Sequence, residues 1–154
     1  MKIIKYQLDK IISGGQSGAD LGGLEAGKLL NIPTGGYAPK RYMTEYGVNM
    51  ELKEKYNLIE CSTSDYQYRT IKNIENSDGT LIFSERTSSG SKFTAHSCRE
   101  MRKPYIINPS PEKFIIWLNK NKISILNVAG NRNSVSNGIG DKVKKFLITT
   151  IQGN

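Results

Sequence analysis

The sequence contains few of the residues that bind metals or form disulfide frameworks. Its 154 residues include two cysteines, Cys61 and Cys98, and one histidine, His96. The cysteines lie far apart and have no metal-ligand spacing, which argues against a zinc site and against a disulfide framework. We therefore expect no metal to be bound directly by protein side chains.

Long apolar segments are also absent. No apolar run approaches the roughly 18 residues that a helix needs to cross a bilayer, and residues 1–10 lack the apolar core of a signal peptide. We therefore expect a cytoplasmic protein without a membrane partner. A length of 154 residues, 37% of them hydrophobic, predicts a single domain over residues 1–154.

Positive charge is in excess, with 22 Lys and Arg against 14 Asp and Glu and a net charge of +8. Such an excess suits the binding of nucleic acid or the attraction of a small polyphosphate. The basic residues are spread over "KRY", "KEK", "REMRK" and "KVKK" and do not form one cluster. A solvated basic surface is the favoured interpretation, and a nucleic-acid-binding module stays open as an alternative.

Strand-like and helix-like segments alternate along the chain. "GTLIFS" and "ISILNV" predict buried strands. Helices are predicted over residues 17–30, about 91–102 and 141–151. This order predicts an α/β fold, a Rossmann-like three-layer sandwich with a mostly parallel sheet of about five strands and helices on both faces. Residues 40–57 are poorly periodic and are interpreted as a long loop over a site.

Three predicted strand-to-helix connections are rich in small polar residues. They are loop 1, "SGGQSGAD" (residues 13–20), loop 2, "SERTSSGSKFT" (residues 84–94), and loop 3, "AGNRNS" (residues 129–134). Such loops converge at the carboxyl edge of a parallel sheet. Helix starts there offer unpaired N–H groups and a partial positive charge, so the three loops together predict a site for a phosphate-bearing ligand.

Neither common nucleotide fingerprint fits these loops. Loop 1 does not read G-x-G-x-x-G, and no G-x-x-x-x-G-K-[ST] occurs. An ordinary dinucleotide oxidoreductase and a P-loop ATPase are therefore disfavoured. Within loop 1, Ser17 is interpreted as a helix cap, and Asp20 as a residue that accepts a ribose hydroxyl, orients the loop or stabilises the helix start.

Five segments resemble, in order, the motifs of the molybdenum cofactor carrier family. They are "IISGGQSGAD", "GGYAPK", "YQYRTIKNIENSDGTLIFS", "SSGSKFTAHSCREMRKPYII" and "LNVAGNRNSVSNGIG", and they extend from Ile11 to about Leu147. That family belongs to a wider Rossmann-like group with nucleotide-sensing domains, DNA-processing proteins and phosphoribohydrolases similar to so-called lysine decarboxylases. The resemblance implies a Rossmann-like fold, a homo-oligomer, and a nucleotide or the molybdenum cofactor as bound ligand.

One departure from these relatives bears on catalysis. In the phosphoribohydrolases a "PGGxGTxxE" turn supplies a glutamate, whereas Thr94 stands at that place here. Threonine cannot replace a carboxylate as acid or base at neutral pH. We therefore expect no catalytic residues and a binding protein for a phosphorylated heteroaromatic small molecule, acting as carrier, sensor or sequestering protein. A nucleoside-monophosphate glycosidase or another nucleotide hydrolase stays open as an alternative.

The candidate ligand-binding residues come from the three loops and from two basic side chains. Arg69 matches a family arginine whose planar guanidinium suits a phosphate, and Lys40 adds a point charge near a predicted strand end. The full set is Gly14, Gly15, Gln16, Ser17, Gly18, Asp20, Lys40, Arg69, Ser84, Ser88, Ser89, Gly90, Ser91, Thr94, Gly130, Asn131, Arg132 and Ser134.

Several tyrosines fall near the same predicted edge. They are Tyr37, Tyr42, Tyr46, Tyr66 and Tyr68. Their rings suit stacking on a purine or a pterin, and covering the edge of a core explains them almost as well. Both interpretations stay open at the level of sequence.

Overall fold

A parallel sheet and six helices form the structure, a computed structural model that describes residues 3–154. The strands are β1 (Lys10–Ser13), β2 (Thr34–Gly35), β3 (Tyr37–Ala38), β4 (Met43–Thr44), β5 (Gly47–Val48), β6 (Ile59–Glu60), β7 (Gly79–Phe83), β8 (Tyr105–Ile107) and β9 (Ile125–Gly130). The helices are α1 (Ala19–Leu29), α2 (Glu51–Glu54), α3 (Tyr66–Glu75), α4 (Ser89–Glu100), α5 (Pro111–Asn121) and α6 (Ile139–Thr150).

The central sheet has five strands in the order β2-β1-β9-β7-β8, and every pairing is parallel. Helices α1, α5 and α6 share a continuous apolar core with one face of this sheet, while α3 and α4 pack together and α4 contacts β7 and β9. The predicted α/β, Rossmann-like fold is thereby confirmed. Within residues 3–154, no helix combines the length and the apolar character that crossing a bilayer would require.

The strand order brings the three loops together. Strand β9 lies between β1 and β7, so loop 3 leaves the sheet between loop 1 and loop 2. The register aligns the strand ends, since Ser13 pairs with Val128 and Phe83 pairs with Gly130. All three loops therefore start from neighbouring strands at the same carboxyl edge.

Several predicted helix starts are displaced. Helix α1 begins at Ala19 with Gly18 as its N-cap, so the interpretation of Ser17 as the cap is wrong. The Ser17 hydroxyl instead donates to Glu45 and accepts from the Asn133 N–H at 3.0 Å.

The two later helices start earlier than predicted. Helix α4 begins at Ser89 because the Ser88 hydroxyl caps it by accepting from the Ser91 N–H. Helix α6 begins at Ile139, so Ser134 lies in a separate turn ahead of the helix.

The segment predicted as a long loop, residues 40–57, is ordered by its own secondary structure. It contains a 3-10 turn over Lys40–Tyr42, the antiparallel hairpin of β4 and β5, and α2. A second apolar cluster beneath it joins Tyr42, Leu52 and Tyr56 to Leu24 of α1. These buried contacts were not predicted, because the segment is mostly polar and its apolar residues recur with neither a helical nor a strand period.

We predict that Gly22→Ala destabilises the protein, because a methyl group on Gly22 would overlap the backbone of Gly140 where α1 meets α6. Overpacking of this kind costs about 1–3 kcal/mol of unfolding free energy. The matched control is Gly90→Ala, where no heavy atom apart from the adjoining backbone of α4 lies within 4 Å of the added methyl group. It should leave stability unchanged or raise it by up to about 1 kcal/mol. Urea denaturation measures both, and equal stability of the two variants would contradict this account of the helix contact.

Candidate functional site

A cavity of about 570 Å³ lies where the three loops meet the start of α3. Its volume is in the range of small-molecule sites, about 300–1,000 Å³. Ten of the predicted residues line it: Gln16, Asp20, Arg69, Ser88, Ser89, Gly90, Thr94, Gly130, Arg132 and Ser134. The structure therefore brings parts of all three loops to one cavity.

Two predicted glycines of loop 1 serve contacts within the protein. A side chain at Gly14 would overlap the guanidinium of Arg69, so the missing Cβ gives that guanidinium its place. Gly18 has φ +82° and lies against the backbone of loop 3 from Asn131 to Asn133. Close contact does explain why glycine stands at both positions, but the contacting atoms belong to the protein and not to a ligand.

Other predicted residues also lie outside the lining of this cavity. Gly15 packs against Leu52, and Ser17 is bound by Glu45. Lys40 is exposed in the 3-10 turn, where its N–H donates to the Thr63 carbonyl. The part of these three residues in ligand binding stays a prediction.

The remaining predicted residues belong to loops 2 and 3. Asn131 joins these loops, because its side chain accepts from the Arg86 N–H at 3.0 Å and donates to the Arg86 carbonyl at 2.9 Å. Ser84 and Ser91 line a separate cavity of about 490 Å³, which is also lined by His96 and Arg99 of α4. A role of Asn131, Ser84 and Ser91 in binding likewise stays a prediction.

Arg69 is a largely buried cation of the cavity. Its side chain is 12% exposed, and its guanidinium lies 3.6 Å from the Asp20 carboxylate and 3.2 Å from the Thr70 hydroxyl. The Nε atom is buried without a hydrogen-bond partner among the described residues. A buried donor without a partner is costly, so the guanidinium, which lines the cavity, favours an added acceptor.

Asp20 completes the pair from the first turn of α1. Burial raises the pKa of Asp20, against the opposing effects of the Arg69 charge, the Gln16 N–H and the Arg132 charge. The Gln16 N–H donates to its Oδ2 at 3.1 Å. The carboxylate is thus used to hold Arg69 and loop 1 in position.

Tyr66 contributes an aromatic surface between two cations. The Arg69 guanidinium lies 5.7 Å from the ring centroid, and that of Arg132 lies 5.6 Å away. Cations at this distance are attracted to the electron-rich face of the ring. Of the five tyrosines noted in the sequence, Tyr66 is the one that lines this cavity, whereas Tyr42 is buried in the second apolar cluster.

Sequence reasoning missed further residues of the site. Gln67, Thr70, Phe93 and Val135 also line the cavity. The first two flank Arg69 in "YQYRT", and Phe93 precedes Thr94, so their positions beside predicted residues were the available signal.

Glu45, in the turn between β4 and β5, was missed entirely. Its carboxylate accepts hydrogen bonds from the hydroxyls of Ser17 and Ser134 and from the Ser134 N–H at 3.2 Å. Burial raises the pKa of Glu45, but the hydrogen bonds from Ser134 and Ser17 and the charge of Arg132 outweigh this effect and hold the pKa below its usual value of 4.5. Nothing in the sequence around Glu45 marks it as a partner of residues in loops 1 and 3.

The parallel sheet and the polar cavity at its carboxyl edge define a Rossmann-like α/β protein with a small-molecule-sized site. Residues 11–151 match the family described as the circularly permutated YpsA SLOG family, and the chain belongs to that family. Among solved structures it is similar to "Putative molybdenum carrier protein" from Syntrophus aciditrophicus SB, with 35% identity, a TM-score of 0.84, and coverage of 95% of this chain and 96% of that chain. The resemblance seen in the sequence motifs is thereby confirmed. No curated protein matches the chain at a significant level.

We predict that Glu45 makes stability dependent on acid pH. A carboxylate whose folded-state pKa is lowered adds stability above its unfolded pKa, and that stability is lost as the pH falls through the folded value. The unfolding free energy of Glu45→Gln should therefore approach that of the wild type as the pH falls from about 6 to about 3. Chemical denaturation at several pH values measures this difference, and a difference independent of pH would contradict the assignment. Glu51→Gln, at an exposed glutamate of α2, is the control.

Proposed function

We propose that the protein binds a phosphorylated heteroaromatic small molecule in the cavity at the carboxyl edge of the sheet. The observation that carries this proposal is the buried Arg69 guanidinium, whose Nε has no partner among the described residues, beside Arg132 and the ring of Tyr66. This arrangement combines cationic donors with an aromatic surface. A phosphate joined to a heteroaromatic ring has the complementary chemistry.

The start of α4 supports the phosphate part of the proposal. Ser88, Ser89 and Gly90 line the cavity at the N-terminus of this 12-residue helix. The first N–H groups of a helix are unpaired and carry a partial positive charge, so they add to the attraction for an anion. The guanidinium of Arg69 and the start of α4 thus face the same space from different elements.

The aromatic part of the proposal rests on Tyr66 and Phe93, which both line the cavity. Nucleotides, signalling nucleotides and molybdopterin-type cofactors each join a phosphate to a heteroaromatic ring system and fit this description. The name of the similar solved protein supports a molybdopterin-type ligand, which the protein would hold as cargo. Carrier, sensor and sequestering roles all need binding of this kind, and a cytoplasmic homo-oligomer remains the prediction.

The polar groups of the cavity favour binding over hydrolysis. Thr94 lines the wall, and its hydroxyl donates to the Gly90 carbonyl at 3.0 Å. Asp20, a carboxylate in the lining, is 4% exposed and is held by Arg69 and the Gln16 N–H. A general base that activates water must lie within hydrogen-bond reach of the reacting group. The contacts of Asp20 instead hold its carboxylate in the wall of the cavity.

We predict that Arg132→Ala and Arg69→Lys each weaken nucleotide binding by about 10–100-fold. The first change removes a cation, and the second keeps the charge but loses the planar set of donors. Arg69→Lys also retains a cation beside Asp20, so that the buried carboxylate is not left unpaired. Isothermal titration calorimetry with AMP, GMP, cyclic nucleotides and molybdopterin, after a thermal-shift survey, measures the effect.

The matched control is Arg99→Ala, which removes one positive charge from α4 at the separate cavity. It should bind the selected compound as the wild type does. If Arg99→Ala weakened binding as much as Arg132→Ala, general charge and not this cavity would be responsible. If no compound bound, or if free base were released from AMP, the proposed binding function would be wrong.

A further inference from the structure

We infer that Ser17, Ser134 and Arg132 form a second phosphoryl subsite, which the Glu45 carboxylate occupies until a ligand with two linked phosphoryl groups displaces it. The inference rests on the proposed function of the adjoining cavity and deepens it. It assigns the ligand to compounds that carry a diphosphate and gives the hairpin of β4 and β5 a role in binding.

The contacts of Glu45 are those that a phosphoryl group would make. The two hydroxyls and the Ser134 N–H all donate to its carboxylate. The Ser17 oxygen accepts from the Asn133 N–H at 3.0 Å, which leaves the Ser17 proton for donation to the anion. Hydroxyl and N–H donors beside a guanidinium bind carboxylate and phosphate oxygens by the same geometry.

The subsite is continuous with the cavity. Arg132 and Ser134 line the cavity, and the charge of Arg132 opposes the rise in the pKa of Asp20 that burial causes and helps to lower the pKa of Glu45. Arg132 is therefore near enough to act on both the carboxylate beside Arg69 and the carboxylate of the hairpin. A diphosphate is the group that would reach from the first of these positions to the second.

Gln16 connects the hairpin to the same wall. Its Oε1 accepts from the Glu45 N–H at 2.8 Å and from the Ser17 N–H at 3.0 Å. Its Nε2 is buried and has no hydrogen-bond partner among the described residues, while Gln16 as a whole is 6% exposed and lines the cavity. This amide is a buried donor that no residue of the described range 3–154 uses.

The hairpin is suited to displacement because its tip, residues 45 and 46, is held by hydrogen bonds of Glu45 and Tyr46 and not by the apolar clusters. Strands β4 and β5 have two residues each, and Tyr46 is 67% exposed, with its hydroxyl accepting from Asn133 at 2.9 Å. Short elements with few buried contacts open locally at low free-energy cost. A ligand with one phosphoryl group at Arg69 would leave the hairpin closed, and a diphosphate would open it.

The test uses inorganic pyrophosphate and AMP as probes in isothermal titration calorimetry. Glu45→Gln should bind pyrophosphate about tenfold more tightly than the wild type, because it removes the charge that competes for the subsite. The affinity for AMP should change much less. Adding Ser134→Ala to Glu45→Gln should abolish the gain, and Glu51→Gln, at an exposed glutamate of α2, should show none. An unchanged affinity of Glu45→Gln for pyrophosphate would overturn the inference.

Hydrogen exchange of the wild type gives a second readout that does not depend on a variant. Pyrophosphate should increase exchange over residues 43–48, because Glu45 leaves its partners, whereas bound ligands usually protect the segments they touch. Increased protection of residues 43–48 would exclude displacement. If AMP binding depends on Arg69 but Glu45→Gln gains nothing, only the second subsite is wrong. If neither AMP nor pyrophosphate binds any of these proteins, the proposed function fails as well.

Discussion

The buried guanidinium of Arg69 is the constraint on which the cavity depends. A charge at this depth needs a counter-charge and hydrogen-bond acceptors in fixed positions, because desolvation would otherwise be too costly. Asp20 supplies the counter-charge from α1, and Gly14 supplies the space in loop 1. The start of α3, loop 1 and the first turn of α1 are therefore positioned by one interaction, and the wall of the cavity follows from it.

The same balance of charge explains the organisation around the second carboxylate. Arg132 lies over Tyr66 and acts on both Asp20 and Glu45. Arg69 is thus paired with the buried carboxylate of Asp20, while Arg132 acts on that carboxylate and on the one of the small hairpin. An incoming anion competes with these carboxylates, so its affinity for the cavity depends on which carboxylate it displaces. Asp20 is buried in the first turn of α1, whereas Glu45 is held by one partly buried and two exposed hydrogen bonds.

Much of the fold and part of the site were predictable from local patterns. Apolar runs bounded by turn residues marked β7 and β9, and the small polar residues after the strands marked the three loops. Nine candidate residues chosen in this way line one cavity, and Arg69, chosen because it matches a family arginine, lines it as well. Predictions were wrong where two partners compete for one side chain. Ser17 is suited to cap α1, but its hydroxyl is bonded to Glu45 and to the Asn133 N–H instead.

The sequence by itself determined the alternation of strands and helices and the chemistry of each loop, because periodicity and turn residues act over a few positions. The tertiary structure alone decided that β9 lies between β1 and β7, which brings loop 3 between loops 1 and 2. It also decided that Glu45 meets Ser134, 89 positions away in the chain. No local pattern encodes such a contact, since it depends on how the sheet orders its strands and on where the second apolar cluster anchors the hairpin segment.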